Sequence, residues 1–219
     1  MPQTPPSRFA VDEALGYWDQ RHRTGDELRS GGDMTYDFAA NQVFYAVRLG
    51  RLLDVLGHHC DVAAPLRVLD AGCGKGWFSR RLADCGHRVD GIDASEHAVE
   101  ECRRQAVGGD RYHQSTLESW APPYLYDAVV SIDVLFHVMD DAVWEASLRR
   151  LAQLVRYGGR LVVADHDVEQ ERLWSSYQVS RARERYLSVV RSEGLRYDGF
   201  LPYGFRENAA GFHHFTRSA

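Results

Sequence analysis

The residues whose types and spacing best suit chemistry are Asp70-Ala71-Gly72-Cys73-Gly74-Lys75-Gly76 and, further on, Asp93. Alternating glycines let a backbone turn sharply and let a ligand approach with no side chain in the way. A helix starting just after them would offer free N–H groups to a polar ligand. An acidic residue 21 positions after Gly72, at the end of the next strand, can accept hydrogen bonds from both hydroxyls of an adenosine ribose. A dinucleotide fingerprint would place a third glycine where Trp77 stands, and Trp77 also crowds a pyrophosphate. An ordinary tight turn beside a surface Asp is the competing explanation, and it leaves the surrounding strand–loop–helix context unexplained.

The elements that must position these residues can be read from hydrophobic rhythm. Leu66 to Leu69 predicts a short strand, and Phe78, Leu82 and Cys85 mark one face of the helix after the glycines. His87 to Ile92 predicts a second strand, Ser95 to Gln105 a helix, and Arg111 to His113 a third strand. Ala128 to Ile132 and Leu161 to Ala164 read as buried strands. Between them a helix carries Trp144, Leu148, Leu151 and Val155, closed by Gly158-Gly159. Strands alternating with helices imply a parallel sheet covered on both faces. Before this region, Arg8 to Arg23 suits a helix, residues 24–36 a loop, and Tyr45, Leu49, Leu52 and Leu56 a helical stripe capped by Gly57. After it, Glu169 to Ser192 reads as a long helical stretch, followed by strands near Tyr197 to Leu201 and Gly211 to Thr216.

Leu69 to Gly76, with Gly91-Ile92-Asp93-Ala94-Ser95 at this spacing, resembles the class I S-adenosylmethionine-dependent methyltransferases. Tyr126 to Ser131 with Val134 to Val138 is similar to that family's fourth-strand motif, and Tyr157 to Val163 to its turn into the fifth strand. The likeness covers about residues 65–166. It implies a Rossmann-like α/β fold: a mostly parallel seven-stranded sheet with helices on both faces, its last strand antiparallel, and an N-terminal helical extension. The expected division is a helical cap over residues 1–62 and a cofactor-binding domain over 63–219. The resemblance implies that Asp70, Gly72, Cys73, Gly74 and Gly76 bind the cofactor, the glycines facing its methionine part. Asp93 would bind the ribose, Ala94 would lie beside the adenine, and backbone near Thr116-Leu117 would read its edge. Asp133 would stand near the amino end and the methyl.

Methyl transfer from a sulfonium asks the protein mainly to align the acceptor, and a hydroxyl acceptor also needs its proton removed. His137, just past the fourth strand, is the first candidate base, with pocket shaping or helix capping as its plainer role. His166, after the fifth strand, is the second candidate, although Asp165 and Asp167 beside it suit a merely polar loop. Asp133, Asp165, His166 and Asp167 could together hold Mg²⁺. Polar residues at strand ends are ordinary, however, so no metal is assigned. His213 and His214 are adjacent on a strand and must face opposite ways. Tyr17, Trp18, Tyr36, Trp174 and Tyr177 could close over the cofactor or simply pack, while Arg181, Arg183 and Arg185 suit a solvated helix face.

Composition narrows the function classes. The 219 residues carry 26 basic and 31 acidic side chains, a net charge of −5, and no long basic run, which argues against a dedicated nucleic-acid binder. Cys60, Cys73, Cys85 and Cys102 form no CxxC pair and no disulfide framework. Met1 to Ser7 is polar and proline-rich, unlike a signal peptide, and reads as a disordered start. No apolar run approaches the ~20 residues of a membrane span, so a cytoplasmic protein is expected. The expected function is methylation of a small molecule, oxygen being preferred, with a sugar or secondary-metabolite hydroxyl as acceptor. The alternatives are an N or C acceptor, RNA or protein as acceptor, a non-methylating S-adenosylmethionine-binding protein, and, most weakly, a nicotinamide-dependent reductase. A homodimer is left open.

Overall fold

The computed structural model describes residues 7–25, 27–57, 64–106 and 111–218. Most of the expected N-terminal tail (residues 1–6), Cys60 and the 62/63 domain boundary lie outside the described residues.

Helices α1 (Val11–Thr24), α2 (Glu27–Gly31) and α3 (Phe38–Leu56) come first. The interval expected to be loop thus contains a short helix, which ends at Gly31 as the paired glycines require. Asp37 caps α3 by accepting the Ala40 N–H, and Gly57 ends it in the left-handed region at φ 79°. Then follow β1 (Arg67–Ala71), α4 (Trp77–Asp84), β2 (Arg88–Asp93), α5 (Glu96–Gln105), β3 (Arg111–Gln114) and β4 (Tyr126–Ser131). A 3-10 turn at Leu135–His137 leads to α6 (Asp141–Gln153) and β5 (Val155–His166). The chain finishes with β6 (Arg172–Ser175), β7 (Gln178–Ser180), α7 (Arg183–Ser192), β8 (Leu195–Pro202) and β9 (Ala210–Arg217).

Seven strands form one sheet in the order β3-β2-β1-β4-β5-β9-β8. β1 to β5 pair in parallel, and β9 runs antiparallel to both β5 and β8, as expected. The order reverses between β1 and β4, so a crevice opens outside the carboxyl ends of these strands. Both faces are covered, which is why the central strands read as continuous apolar runs. Leu52, Val55, Phe78 and Leu82 from α3 and α4 pack on one face with Val68, Val130 and Val162. Trp144, Leu148, Leu151, Tyr186 and Val190 from α6 and α7 pack on the other with Leu69, Val129 and Val163. α3 therefore shares one core with the sheet.

Three expectations need correction. Residues 169–192 are not one helix: β6 and β7 form an antiparallel hairpin, and helix begins only at Arg183. Leu173 and Val179 are paired across it, and Trp174 Nε1 donates to Ser180 Oγ, so packing and a side-chain bond favour the hairpin. Nor is Arg181 on a solvated face. It precedes α7, is fully buried, and donates to Val138 O (2.8 Å) and Asp141 (2.8 Å). Gly158-Gly159 lies inside β5 instead of closing α6, which ends at Gln153.

Candidate functional site

The glycine loop is fastened to the end of β2. Gly72 and Cys73 donate their N–H groups to Ile92 O (2.8 and 2.9 Å), and Gly74 donates to Asp93 Oδ2 (2.8 Å). Gly72 sits at φ 82°, and a Cβ there would collide with Val134. Asp93 Oδ1 accepts from Ser95 N (2.9 Å), and Ser95 Oγ caps α5 through Ala98 N. Each Asp93 oxygen thus keeps a further lone pair, enough to accept hydrogens from two vicinal hydroxyls. Behind the loop, Asp70 is buried and accepts from Ser79 Oγ (2.6 Å). Burial pushes the Asp70 carboxyl up to about 6, and the Ser79 bond opposes that rise.

These residues open into a cavity at the switch between β1 and β4. Asp70, Gly72, Cys73, Gly74, Asp93, Ala94, Thr116, Leu117, Asp133 and His137 all line it, so the structure brings together ten of the twelve positions singled out. Among the described lining residues Gly76 and His166 are missing. Gly76 is the N-cap of α4 at φ 79°, packed near Cys102 Sγ. His166 Nδ1 instead bonds Ser180 Oγ (2.9 Å), and its ring lies 4.8 Å from that of Trp174.

His137 projects from the turn after β4. Its Nδ1 is 2.7 Å from Tyr177 O. A carbonyl can only accept, so Nδ1 carries the hydrogen and Nε2 keeps its lone pair. Burial holds the imidazole down at about 3, so the ring is neutral across the physiological range. Asp133 is half-buried and sits in the left-handed region at φ 58°. Its carboxylate accepts from Arg48 Nη1 and from the Tyr203 hydroxyl (3.2 Å). Burial pushes this carboxyl above its ordinary value, against the pull of Arg48 and Tyr203.

The four residues considered for Mg²⁺ are divided among other partners. Asp133 is held by Arg48, Asp165 accepts from Ser180 and Tyr186 (2.7 and 2.6 Å), and Asp167 pairs with Arg183. Among the described residues no group of three or more His, Cys, Asp or Glu side chains is placed to hold a metal ion. His213 is buried against Tyr186 and His214 is half-buried, facing opposite ways as expected.

α1 forms the roof. Val11, Ala14, Leu15, Trp18 and His22 share one face and line the cavity. Asp19 accepts from Ser95 Oγ (2.6 Å), and Lys75 Nζ donates to Gly25 O (2.8 Å), so the turn after β2 and the glycine loop both hold this helix. Of the aromatics proposed as a cover, only Trp18 lines the cavity; Tyr17 and Tyr177 stack on each other behind it, 5.1 Å apart. His22, Glu27, Arg48, Lys75, Glu118 and Met139 also line the wall and were not anticipated. His22 follows Trp18 by one helical turn, a spacing that could have revealed it. Glu118 could have been sought as the acidic residue near the adenine-edge stretch.

Comparison with known proteins agrees with this architecture. A family model described as a methyltransferase domain matches residues 17–198. A ubiquinone biosynthesis O-methyltransferase of Methylocella silvestris is 35% identical over 134 residues, covering 54% of this chain and 51% of that protein. The protein of the same name from Azorhizobium caulinodans is 33% identical over 172 residues, covering 73% and 61%. The chain spans about half the length of the curated relatives it matches. Magnesium protoporphyrin IX methyltransferase from Synechocystis PCC 6803, solved with bound SAM, superposes with a TM-score of 0.71 at 22% identity, covering 97% of this chain and 100% of that one. N-methyltransferase NodS from Bradyrhizobium japonicum WM9 gives 0.65 at 18% identity, covering 81% and 98%. At these identities the structural likenesses speak for the fold alone.

Proposed function

The chain belongs to the class I S-adenosylmethionine-dependent methyltransferases, and from that premise we propose that it methylates an oxygen of a small molecule. The residues present fit the cofactor. Asp93 retains free lone pairs for the ribose hydroxyls, and Ala94 with Thr116 and Leu117 offers a surface for the adenine. The wall carries Glu27, Asp70, Asp93, Glu118, Asp133 and Asp140 against only Arg48 and Lys75 among lysines and arginines, a lining suited to a positively charged sulfonium.

When bound, the cofactor supplies an electrophilic methyl group on a positively charged sulfur. The chain's own task is to orient the acceptor and keep water out. Trp18 and the apolar face of α1 cover the cavity. His137 presents the Nε2 lone pair, which can accept a hydrogen bond from a hydroxyl and so aim the oxygen's other lone pair. With its imidazole held at about 3, His137 is a weak base. A hydroxyl becomes strongly acidic as its oxygen gains a carbon, however, so Nε2 can take the proton late in the transfer and pass it to water.

The observation that carries this reading is the neutral His137, its tautomer fixed by Tyr177 O, on the same wall as Asp93 and the glycine loop. The roofed cavity favours a small acceptor over RNA or protein. We place a sugar or secondary-metabolite hydroxyl first; the O-methyltransferase names of the relatives support oxygen as the acceptor atom. The test is calorimetric titration with S-adenosylmethionine and S-adenosylhomocysteine, followed by a screen of hydroxylated acceptors for methyl gain by mass spectrometry. Binding of both ligands and methylation at oxygen supports the proposal. A folded protein that binds neither ligand, or that methylates only nitrogen or carbon, overturns it.

A further inference from the structure

A cation without a counter-ion stands beside the reaction cavity. Arg21, on α1, is half-buried and forms no ion pair among the described residues. Of its described acidic neighbours in sequence, Asp19 pairs with Arg23 and Glu27 with Arg80. Arg21 Nη2 donates to Arg29 O (3.1 Å) and Gly32 O (3.0 Å), which fixes the guanidinium between α1 and the end of α2. Nε is buried with no hydrogen-bond partner, and Nη1 has none among the described residues. A guanidinium drawn partly out of water and left without an anion is costly, so the site favours a ligand that brings one.

The place of Arg21 says which ligand. Its guanidinium carbon lies 4.9 Å from the centre of the Trp18 ring, and Trp18 in turn stands against His137. Burial is the main cause of the low basicity of His137, and the Arg21 charge adds to it. Arg21 also lines a second cavity, with Arg29 and Tyr36 on its wall. The same two helices border both cavities: Trp18 of α1 and Ser30 of α2 line the first, Arg21 of α1 and Arg29 of α2 the second. An acceptor whose hydroxyl meets His137 can therefore direct its far end past Trp18 to a guanidinium. We propose that the acceptor is a hydroxy acid whose carboxylate is bound by Arg21 in the second cavity. This rests on the methyl-transfer reading above and names the chemical class of its acceptor. The carboxylate accepts from Nη1 in a charge-assisted hydrogen bond, and Arg29 adds a second positive charge to the wall.

The experiment titrates the full chain, saturated with S-adenosylhomocysteine, with hydroxy acids and their uncharged counterparts by calorimetry. The probes are protocatechuate, salicylate and glucuronate, each beside its primary amide. In at least one pair the acid should bind at least tenfold more tightly than the amide. R21Q removes the charge but keeps an N–H donor for the α2 carbonyls; it should abolish that preference and leave S-adenosylhomocysteine affinity within twofold. R21K, which keeps the charge, should retain part of the preference and shows that charge, not a fold defect, is what R21Q removes. Acids that bind no more tightly than their amides, or a preference that survives R21Q, overturn the assignment while the methyl-transfer reading stands. Equal losses of acid, amide and S-adenosylhomocysteine in R21Q also overturn it, because Arg21 would then only tie α1 to α2. A wild-type protein that fails to bind S-adenosylhomocysteine overturns the cofactor reading itself, and this inference with it.

Discussion

The ring of Trp18 lies 4.2 Å, centroid to centroid, from the ring of His137, tilted by 52°, and joins the first helix to the end of β4. The cavity is roofed by an element that the sheet does not contain. The burial that keeps His137 neutral depends on α1 remaining seated. W18A should therefore let water reach the imidazole and raise its pKa from about 3 by at least one unit toward the ordinary value of about 6.5. A histidine NMR titration measures this directly. An unchanged value would assign the burial to Phe136 and Tyr177 instead, whose rings lie 4.4 and 6.0 Å away.

The same group sets a stability dependence whose sign follows from its depressed pKa. The unfolded imidazole binds a proton below about 6.5, whereas the folded one resists it until about 3. Between those values the unfolded state holds more protons, so stability falls as the pH falls. The full difference amounts to roughly 5 kcal/mol near pH 3, an order-of-magnitude figure. Urea denaturation of wild type and H137F at pH 7 and pH 5 should show a smaller acid loss in the variant. H137F should also lower kcat by about 10²-fold or more, because no lone pair then receives the hydroxyl proton.

The parts of the fold visible in sequence are those fixed by neighbours along the chain. Strands β1, β2, β4 and β5 announce themselves because both faces are buried, so no polar alternation hides them. The glycine loop and Asp93 are legible because tight turns and strand ends demand particular residue types at short range. The β6–β7 hairpin was not, because nothing between Arg172 and Ser180 breaks a helix. Its selection depends on Ser180 Oγ meeting Asp165 Oδ1 (2.7 Å), a residue of another strand.

Arg48 illustrates the limit at the site. In sequence it is a polar residue on a helix whose apolar stripe was already explained. Its partner lies 85 positions away, beyond four strands and two helices, and only folding makes it a cavity residue. Arg181 was hidden in the same way, since an arginine between helix-compatible residues gives no sign that carbonyls of a distant turn will surround it.

Asp70 yields a prediction of opposite sign to that for His137. Its carboxyl is raised to about 6 by burial, so between about 4 and 6 the folded state holds more protons than the unfolded one. Its ionisation therefore lowers the stability of the cofactor-free protein as the pH rises through 6, by up to about 3 kcal/mol. D70N should raise the Tm of the free protein at pH 8 and weaken S-adenosylmethionine binding by removing a negative charge from the wall. Calorimetry and thermal melts at pH 5 and pH 8 check both, and a variant less stable at pH 8 would show that the Ser79 bond outweighs the burial.

Three arginines reach the Asp141 carboxylate, Arg185 through Oδ2 (3.4 Å), and the two that share Oδ1 provide a direct comparison of burial. Arg8 Nη1 and Arg181 Nη2 approach Asp141 Oδ1 at 3.1 and 2.8 Å. Arg8 is partly exposed and reaches Asp141 from the N-terminal segment, so water and salt screen its pairing. R8A should cost under about 1 kcal/mol in urea denaturation, less at high salt. Arg181 is fully buried, and its Nη2 also serves Val138 O and Met139 O, whose residues line the cavity. R181L removes the donor that Arg181 gives to Val138 O, whereas Met139 O keeps Arg8 Nη1 (3.1 Å), so it should cost about 3 kcal/mol and loosen the segment that carries His137. S-adenosylhomocysteine affinity should then fall in R181L and stay within twofold in R8A. Equal costs for the two variants would mean that the shared carboxylate, and not the Val138 carbonyl, is what Arg181 stabilises.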